Sequence, residues 1–477
     1  MQEEDLTLEL PTQEWRRLVE IASRRLADFV DSLPSQPAAD TDAEGGAALA
    51  RSLREPLPEE GQPFEELLEL LLSRVVPKSF NTAGPGYIAY IPGGGLLQAA
   101  LADLIANVTN RYTGVWAAAP GMVQLETNVL SWFSDLAGYP PEARGFFTTG
   151  GSLSTLSAVV TARHERLPAD FLKGTLYASA ETHHSLHKAA LLAGFPSANV
   201  REVSADERFR VRLDELERRI REDRASGLQP FFLVGNAGTV HTGAVDDLSA
   251  LADLAARERL WLHVDGAYGG FFLFTERGKQ AMAGIERSDS LALDPHKGLF
   301  LPYGTGALLV RDGAALRRAH SVHASYLPAM REDSDFVDFC EISPELSKAV
   351  RGLRVWLPFK MHGAGPFRRN LDEKLDLALW ATEALRGIPG IEIVAEPQLS
   401  LVAFRLAGGG DLEEENRANR ELMARINARN RVHLTGTVLN DGRFVLRICV
   451  LSFRTHLDRM RQGLDDIRAS VQEQSGQ

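Results

Sequence analysis

Apolar residues first fall into register at Trp15, Leu18, Val19, Ala22, Leu26, Phe29 and Val30, a three- and four-residue spacing that predicts an amphipathic helix from Trp15 to Leu33. A stretch rich in proline, glycine and acids, Pro34 to Pro63, breaks that rhythm and reads as an extended linker. A second helix is predicted from Phe64 to about Val76. This leading segment, residues 1–96, has no core of its own. A long helix and linker outside the main unit are most simply explained by docking on a second copy of the chain, so a homodimer is expected.

From Leu97 the pattern changes to strands alternating with helices. The clearest unit runs Leu213 to Arg221 as helix, Pro230 to Val234 as strand, Asp247 to Arg257 as helix and Leu260 to Val264 as strand, which is βαβ patterning for a mostly parallel sheet. We assign this large α/β domain to residues 97–365. After Leu371 come a helix, strands Ile391 to Val394 and Leu399 to Leu406, a helix near Asn416 to Asn427 and a strand Phe444 to Cys449, which predict a small α+β domain over residues 366–477.

Composition narrows the function classes. The chain has 477 residues, is 44% hydrophobic, and carries 52 Lys plus Arg against 64 Asp plus Glu, a net charge of −12. No basic block suits a nucleic-acid backbone, so nucleic acid is not expected as a partner. No apolar run approaches the roughly 18 residues a membrane span needs, and the acidic start Met1-Gln2-Glu3-Glu4-Asp5 is unlike a secretory signal. A soluble cytoplasmic protein is expected. Cys340 and Cys449 are the only cysteines, too few for a disulfide framework or a CxxC metal site.

The chemistry concentrates in a few short segments. Asp294-Pro295-His296-Lys297 follows the apolar run Ser290 to Leu293, about thirty residues after His263-Val264-Asp265-Gly266-Ala267-Tyr268. A lysine at the mouth of a buried strand, deprotonated by desolvation and neighbouring positive charge, can attack an aldehyde and form a Schiff base, the way pyridoxal phosphate (PLP) is held. An acid at the end of another strand, Asp265, can keep the pyridine nitrogen of that cofactor protonated. Its alternative is a helix cap or a loop salt bridge. Ala267 beside it is small enough for a ring to lie flat.

Thr149-Gly150-Gly151-Ser152 stands before a helical run from Leu153, a cradle for a phosphate at a helix N-terminus, or alone an ordinary turn with a serine cap. Asn236 to Ala244, with Thr239, closes a strand with small and hydroxyl residues that let a ligand approach the backbone. His183 and His187 are four apart, as two metal ligands on a helix would be, but no third ligand is evident and no metal is expected. The better reading of His183 is a flat ring that stacks on a pyridine and can move a proton. His296 can add an imidazole donor to the phosphate. Gly93-Gly94-Gly95 is not a P-loop, since no Gly-Lys-Ser or Gly-Lys-Thr follows it.

In order along the chain, Tyr90-Ile91-Pro92, Trp116 to Pro120, Gly150-Gly151-Ser152, His183, His263 to Tyr268, Asp294 to Lys297, Arg351 to Trp356 and Ser452-Phe453-Arg454-Thr455 make the chain resemble the group II PLP-dependent amino acid decarboxylases. The resemblance implies PLP fold type I and an obligate dimer. It implies Lys297 as the Schiff-base lysine, Asp265 on the pyridine nitrogen, and His183 and Ala267 on the two faces of the ring. Gly151, Ser152 and His296 would hold the phosphate, with Thr239 and Asp294 also lining the cofactor. Tyr90, Pro92, Gly93, Tyr112, Gly114 and Phe339 would line the substrate pocket. Gly93 replaces a hydroxyl residue of the aromatic decarboxylases, and Gly114 replaces bulk.

In the family a loop tyrosine protonates the product carbanion. The segment matched to it here, Ser334 to Ser343, has no tyrosine and puts Phe339 or Cys340 at that position. Decarboxylation of an L-amino acid, aromatic first, is the leading expectation. Oxidative deamination to an aldehyde is the second, an aminotransferase or β-eliminating lyase the third, and a non-catalytic PLP-binding protein the fourth.

Overall fold

The computed structural model describes residues 8–322 and 336–476. Three helices lead: α1 (Thr12–Ser32), α2 (Ala43–Ser52) and α3 (Phe64–Leu70), the last continuing as a π-helical turn over Leu71–Val75. The expected extended linker is thus interrupted by α2. Asp42 caps it by accepting from the Gly45 amide at 2.9 Å, and the run Ala47-Ala48-Leu49-Ala50 sustains the helix past two glycines. No residue of α1, α2 or α3 is buried within the chain.

Helices α4 (Leu97–Thr109) and α5 (Pro120–Leu136) introduce the main layer, which alternates β1 (Arg144–Thr148), α6 (Gly151–Arg166), β2 (Gly174–Ser179), α7 (Ser185–Leu192), β3 (Val200–Val203), α8 (Leu213–Ala225), β4 (Gln229–Asn236), α9 (Leu248–Glu258) and β5 (Trp261–Gly266). It ends with α10 (Glu276–Ala281), β6 (Ser290–Leu293), α11 (Pro295–Gly298), β7 (Gly306–Val310) and α12 (Gly313–His320). The seven strands lie in the order β1-β7-β6-β5-β4-β2-β3, parallel from β6 through β3, with β7 antiparallel to both its neighbours. Phe231 to Val234 and Leu291 to Leu293 are buried on both faces, as strands covered by helices on each side must be.

The chain continues through α13 (Phe339–Ile342), α14 (Arg351–His362) and α15 (Ala364–Arg386) to a second, antiparallel sheet of order β10-β11-β9-β8. Its members are β8 (Ile391–Ala395), β9 (Leu401–Leu406), β10 (Thr435–Val438) and β11 (Phe444–Cys449), with α16 (Leu412–Ala428) between β9 and β10 and α17 (Leu457–Ser475) at the end. One face of this sheet, with Val402, Phe404, Leu446 and Ile448, packs on α15, α16 and α17. The other, with Leu401, Ala403, Val445 and Cys449, joins the core of the large sheet. That second contact brings the C-terminal strands to the site.

Candidate active site

Parallel strands end at one edge of the sheet, and ligands bind in the crevice beyond those ends. Asp265 leaves β5 beside Asn236 of β4, and Asp294 follows β6 directly, so neighbouring strands deliver two acids to that edge. Proline at the first position of α11 turns the chain after Asp294 and raises Lys297 on one short helical turn. The result is a cavity of about 510 Å³ lined by Gly150, Gly151, Ser152, His183, Thr239, Asp265, Ala267, Asp294, His296 and Lys297, with Tyr90 and Tyr303 also on its wall. A larger cavity of about 820 Å³ lies beside the leading helices among Phe29, Asp40 and Phe80, but its lining holds neither lysine nor histidine.

Lys297 is not deprotonated by its surroundings, contrary to the expectation from sequence. Burial disfavours its charge, but Asp294 at 2.9 Å and the nearby Asp265 more than offset this, and the ammonium is held above the usual lysine range. The charges facing it are carboxylates. His296 is lowered by burial, and its Nδ1 donates to the Thr305 carbonyl at 2.8 Å, which leaves Nε2 of the neutral ring as an acceptor 3.6 Å from Asp294 Oδ2. His296 can therefore donate to a phosphate only as an imidazolium.

His183 accepts the Ser185 amide on Nδ1 at 3.2 Å, and burial lowers its pKa, so the ring is held neutral with its Nε2–H free to turn inward. Asp265 accepts the Ala267 amide at 3.1 Å through Oδ1. The Thr239 hydroxyl is occupied within its own turn, by Thr242 at 3.1 Å and the Ala244 amide, so Thr239 lines the cavity mainly with backbone. The donor set suits a phosphorylated pyridine aldehyde. A helix N-terminus and a hydroxyl answer a phosphate, an unpaired carboxylate oxygen answers a ring N–H, and a lysine answers an aldehyde. One cradle oxygen, Asp294 Oδ1, is buried without a partner.

Other expected residues lie elsewhere in the chain. Pro92 is buried, and Gly93 packs on α11, where an added Cβ would sit 2.0 Å from the His296 carbonyl oxygen, so close backbone approach already requires glycine. Tyr112 and Gly114 stand apart from Lys297, beside residues 340–346, because the Gly114 carbonyl accepts from Cys340 at 3.0 Å and a Cβ there would meet the Leu346 carbonyl at 2.3 Å. Phe339 is fully buried and lines a separate cavity of about 250 Å³ with Thr127 and Leu130. Phe339, one of the two residues matched to the loop position, is a core residue, anchored where α13 packs on α12 and β1. Ser334 and Asp335 of that segment lie outside the described residues, as does Tyr326.

Sequence reasoning missed Arg447. On β11 it donates to the Val240 carbonyl and to Thr435 Oγ1 at 3.1 Å, is buried, has no ion pair among the described residues, and leaves Nε without a partner. Val240 lines the cavity, so this cation backs its wall. Glu181, also missed and buried, ties the same region together by accepting from Asn440 at 2.7 Å while facing His241 Nδ1 at 3.1 Å. An arginine in an alternating strand looks like any half-buried cation, and its partner lies 207 residues away. Among the described residues no cluster of histidine, cysteine or acid groups is arranged to hold a metal, and His183 lies outside the helix that carries His187.

Comparison with known proteins follows the same lines. Residues 47–407 match the model of the pyridoxal-dependent decarboxylase conserved domain. The aromatic-L-amino-acid decarboxylase of Bacillus atrophaeus is 34% identical over 472 residues, covering 98% of each chain. Tryptophan decarboxylase 1 of Oryza sativa subsp. japonica is 30% identical, covering 94% of this chain and 92% of that one. The crystal structure of Oryza sativa TDC with PLP and tryptamine superposes with a TM-score of 0.92 at 27% identity, over 98% of this chain and 99% of that chain.

Proposed function

The chain belongs to the pyridoxal-dependent decarboxylase family, a PLP-dependent carboxy-lyase of fold type I, and from that premise we propose that it converts an aromatic L-amino acid to its amine and carbon dioxide. The observation that carries this reading is the convergence of Lys297, Asp265, His183 and the α6 N-terminus on one cavity. PLP, when bound, supplies a protonated pyridine ring that accepts the electron pair freed as the Cα–carboxylate bond breaks. Lys297 would hold the cofactor through its side-chain amine. Asp265 keeps the proton on the ring nitrogen. His183, neutral and held by the Ser185 amide, would cover one face of the ring, and the small side chain of Ala267 would leave room on the other. Gly151, Ser152, Thr239, Asp294 and His296 would hold the phosphate.

Arg447 puts a cation behind the Val240 wall on the small-sheet side, and its field would orient the substrate carboxylate toward that wall with the substrate side chain toward Tyr90. Tyr90 is held at φ 51°, a costly conformation for a tyrosine, with its amide on Thr435 Oγ1 at 3.4 Å, which supports a positioned rather than incidental ring. A homodimer completes the site. Its support is α4, whose Ala99, Ala102 and Ala106 are buried while Leu97, Leu101, Leu104, Ile105 and Val108 are 40–60% exposed along the opposite face. Tyr112, exposed just beyond that helix, then reaches the partner's cavity, with Gly114 packed behind it. The cytoplasm is the proposed compartment, supported by two free cysteines and by the lack, among the described residues, of a helix long and apolar enough to cross a membrane.

The test is a screen of purified protein against the common L-amino acids, following carbon dioxide, amine, ammonia and peroxide together. Carbon dioxide and equimolar amine from tryptophan, tyrosine or phenylalanine is the expected result. Turnover confined to acidic or small aliphatic substrates would overturn the aromatic assignment.

A further inference from the structure

Asp294 puts a negative charge where the cofactor's phosphate must go. It is 2% exposed and faces the N-terminus of α6, since a Cβ on Gly151 would come within 3.3 Å of its Oδ2. That oxygen accepts from Lys297 at 2.9 Å, while Oδ1 is buried without any hydrogen-bond donor. Two anionic groups sharing a buried site cannot both stay charged unless a cation lies between them, and the usual resolution is that one takes a proton.

The groups around Asp294 show where that proton comes from. His296 and Lys297 share its segment, His183 faces it from the loop before α7, α6 presents its N-terminal amides, and Asp265 of β5 and Cys449 of β11 face its partner Lys297. His183 and His296 are both held toward the neutral form by burial. The Lys297 ammonium, held above the usual lysine range, is the protonated group in direct contact.

Building on the assignment of Lys297 as the attachment lysine, we propose that Asp294 couples phosphate binding to activation of that lysine. When a phosphate dianion enters the cradle, an N–H bond of the Lys297 ammonium breaks and its proton passes to Asp294 across the existing hydrogen bond. The new O–H, on the oxygen that already faces the α6 N-terminus, then turns to a phosphate oxygen, and the neutral Lys297 amine keeps the lone pair that attacks the aldehyde carbon, water leaving as the C–N double bond forms. Before the phosphate arrives, Asp294 holds Lys297 as an unreactive ammonium. The site thus selects the phosphorylated aldehyde over its dephosphorylated form by chemistry as well as by contact.

Pyridoxal, which lacks the phosphate, separates the two roles. The full chain freed of cofactor is given pyridoxal at pH 7 with inorganic phosphate or with sodium chloride at equal ionic strength, reduced with borohydride, and the labelled lysine is mapped. Saturating phosphate should speed labelling of Lys297 about tenfold, the change in free amine that one unit of lysine pKa produces. Asp294→Asn should label quickly without phosphate and gain little from it. A wild-type rate at Lys297 that ignores phosphate overturns the coupling and leaves the attachment lysine standing, and this arm decides the matter even where the variant fails to fold. A phosphate response in Asp294→Asn equal to the wild type also overturns it. Label on another lysine overturns both assignments.

Discussion

The Lys348 ammonium lies 4.4 Å over the ring of Phe339 while pairing with the buried carboxylate of Glu126. Phe339 is thus the underside of a buried ion pair, which is why it cannot also serve as a residue swinging over the cofactor. Phe339→Tyr should leave the product ratio unchanged and destabilise the protein by about 1–3 kcal/mol, the cost of burying a hydroxyl without a partner. Urea unfolding and product analysis measure the two effects.

If a phenol protonates the product, the family's loop tyrosine must come from elsewhere between α12 and α13. There the sequence carries Tyr326. Tyr326→Phe should lower amine yield and raise aldehyde, ammonia and peroxide under air but not under nitrogen. Equal amine from both proteins in air would remove Tyr326 from the reaction.

Asp265→Asn nearly preserves shape but cannot hold the ring proton. Turnover should fall about a hundredfold or more, within the usual range for losing a proton-transfer group, with the melting temperature little changed. Activity within a few-fold of wild type would reject Asp265 as the ring partner.

Arg447→Met removes the cation behind Val240. Losing a charged hydrogen bond of about 1.5–3 kcal/mol should raise KM roughly tenfold to a hundredfold while the cofactor absorbance is retained. A fall in kcat alone would deny it the carboxylate.

His263 is fully buried with its pKa lowered by burial to about 4, and His320, half-wrapped and bonded to Thr161, is lowered likewise to about 4. Unfolded histidine titrates near 6.5, so between about pH 6.5 and 4 the unfolded chain binds protons that the native chain refuses. Stability should be full above that window and drop as pH falls through it, by about 3 kcal/mol for His263 alone. Urea midpoints at pH 7 and 4.5 test this, and the doubly substituted His263→Gln, His320→Gln protein should lose most of the difference.

Much of this was readable from the chain, for identifiable reasons. Asp265 and Lys297 stood out because a charge at the end of a continuous apolar run has few structural uses, and the βαβ rhythm from Leu213 to Gly266 was plain because both faces of those strands are buried. Helix α2 was hidden by glycine-rich composition that its aspartate cap overcomes. Phe339 looked available because nothing in its neighbours announces Glu126 beneath Lys348. The sequence suggests positive charge around Lys297 because nothing in it shows that Asp294, expected to line the cofactor, pairs with the lysine three residues on.

The outward leucines of α4 predict a concentration-dependent protein. Leu101→Glu with Ile105→Glu should give monomer by light scattering, and inactive monomer if Tyr112 serves the partner. A fully active monomer would place the substrate pocket within one chain.

The ties from Asn440 to Glu181 and from Arg447 to Val240 also set an order of events during synthesis. Both reach back more than two hundred residues to walls that β2 and β4 would already have formed, so the pocket stays unfinished until the final strands of the small sheet are made. A nascent chain has its lysine long before it has a closed place for the cofactor. Loading is therefore expected on the released protein, and a chain shortened before the final strands should capture PLP poorly.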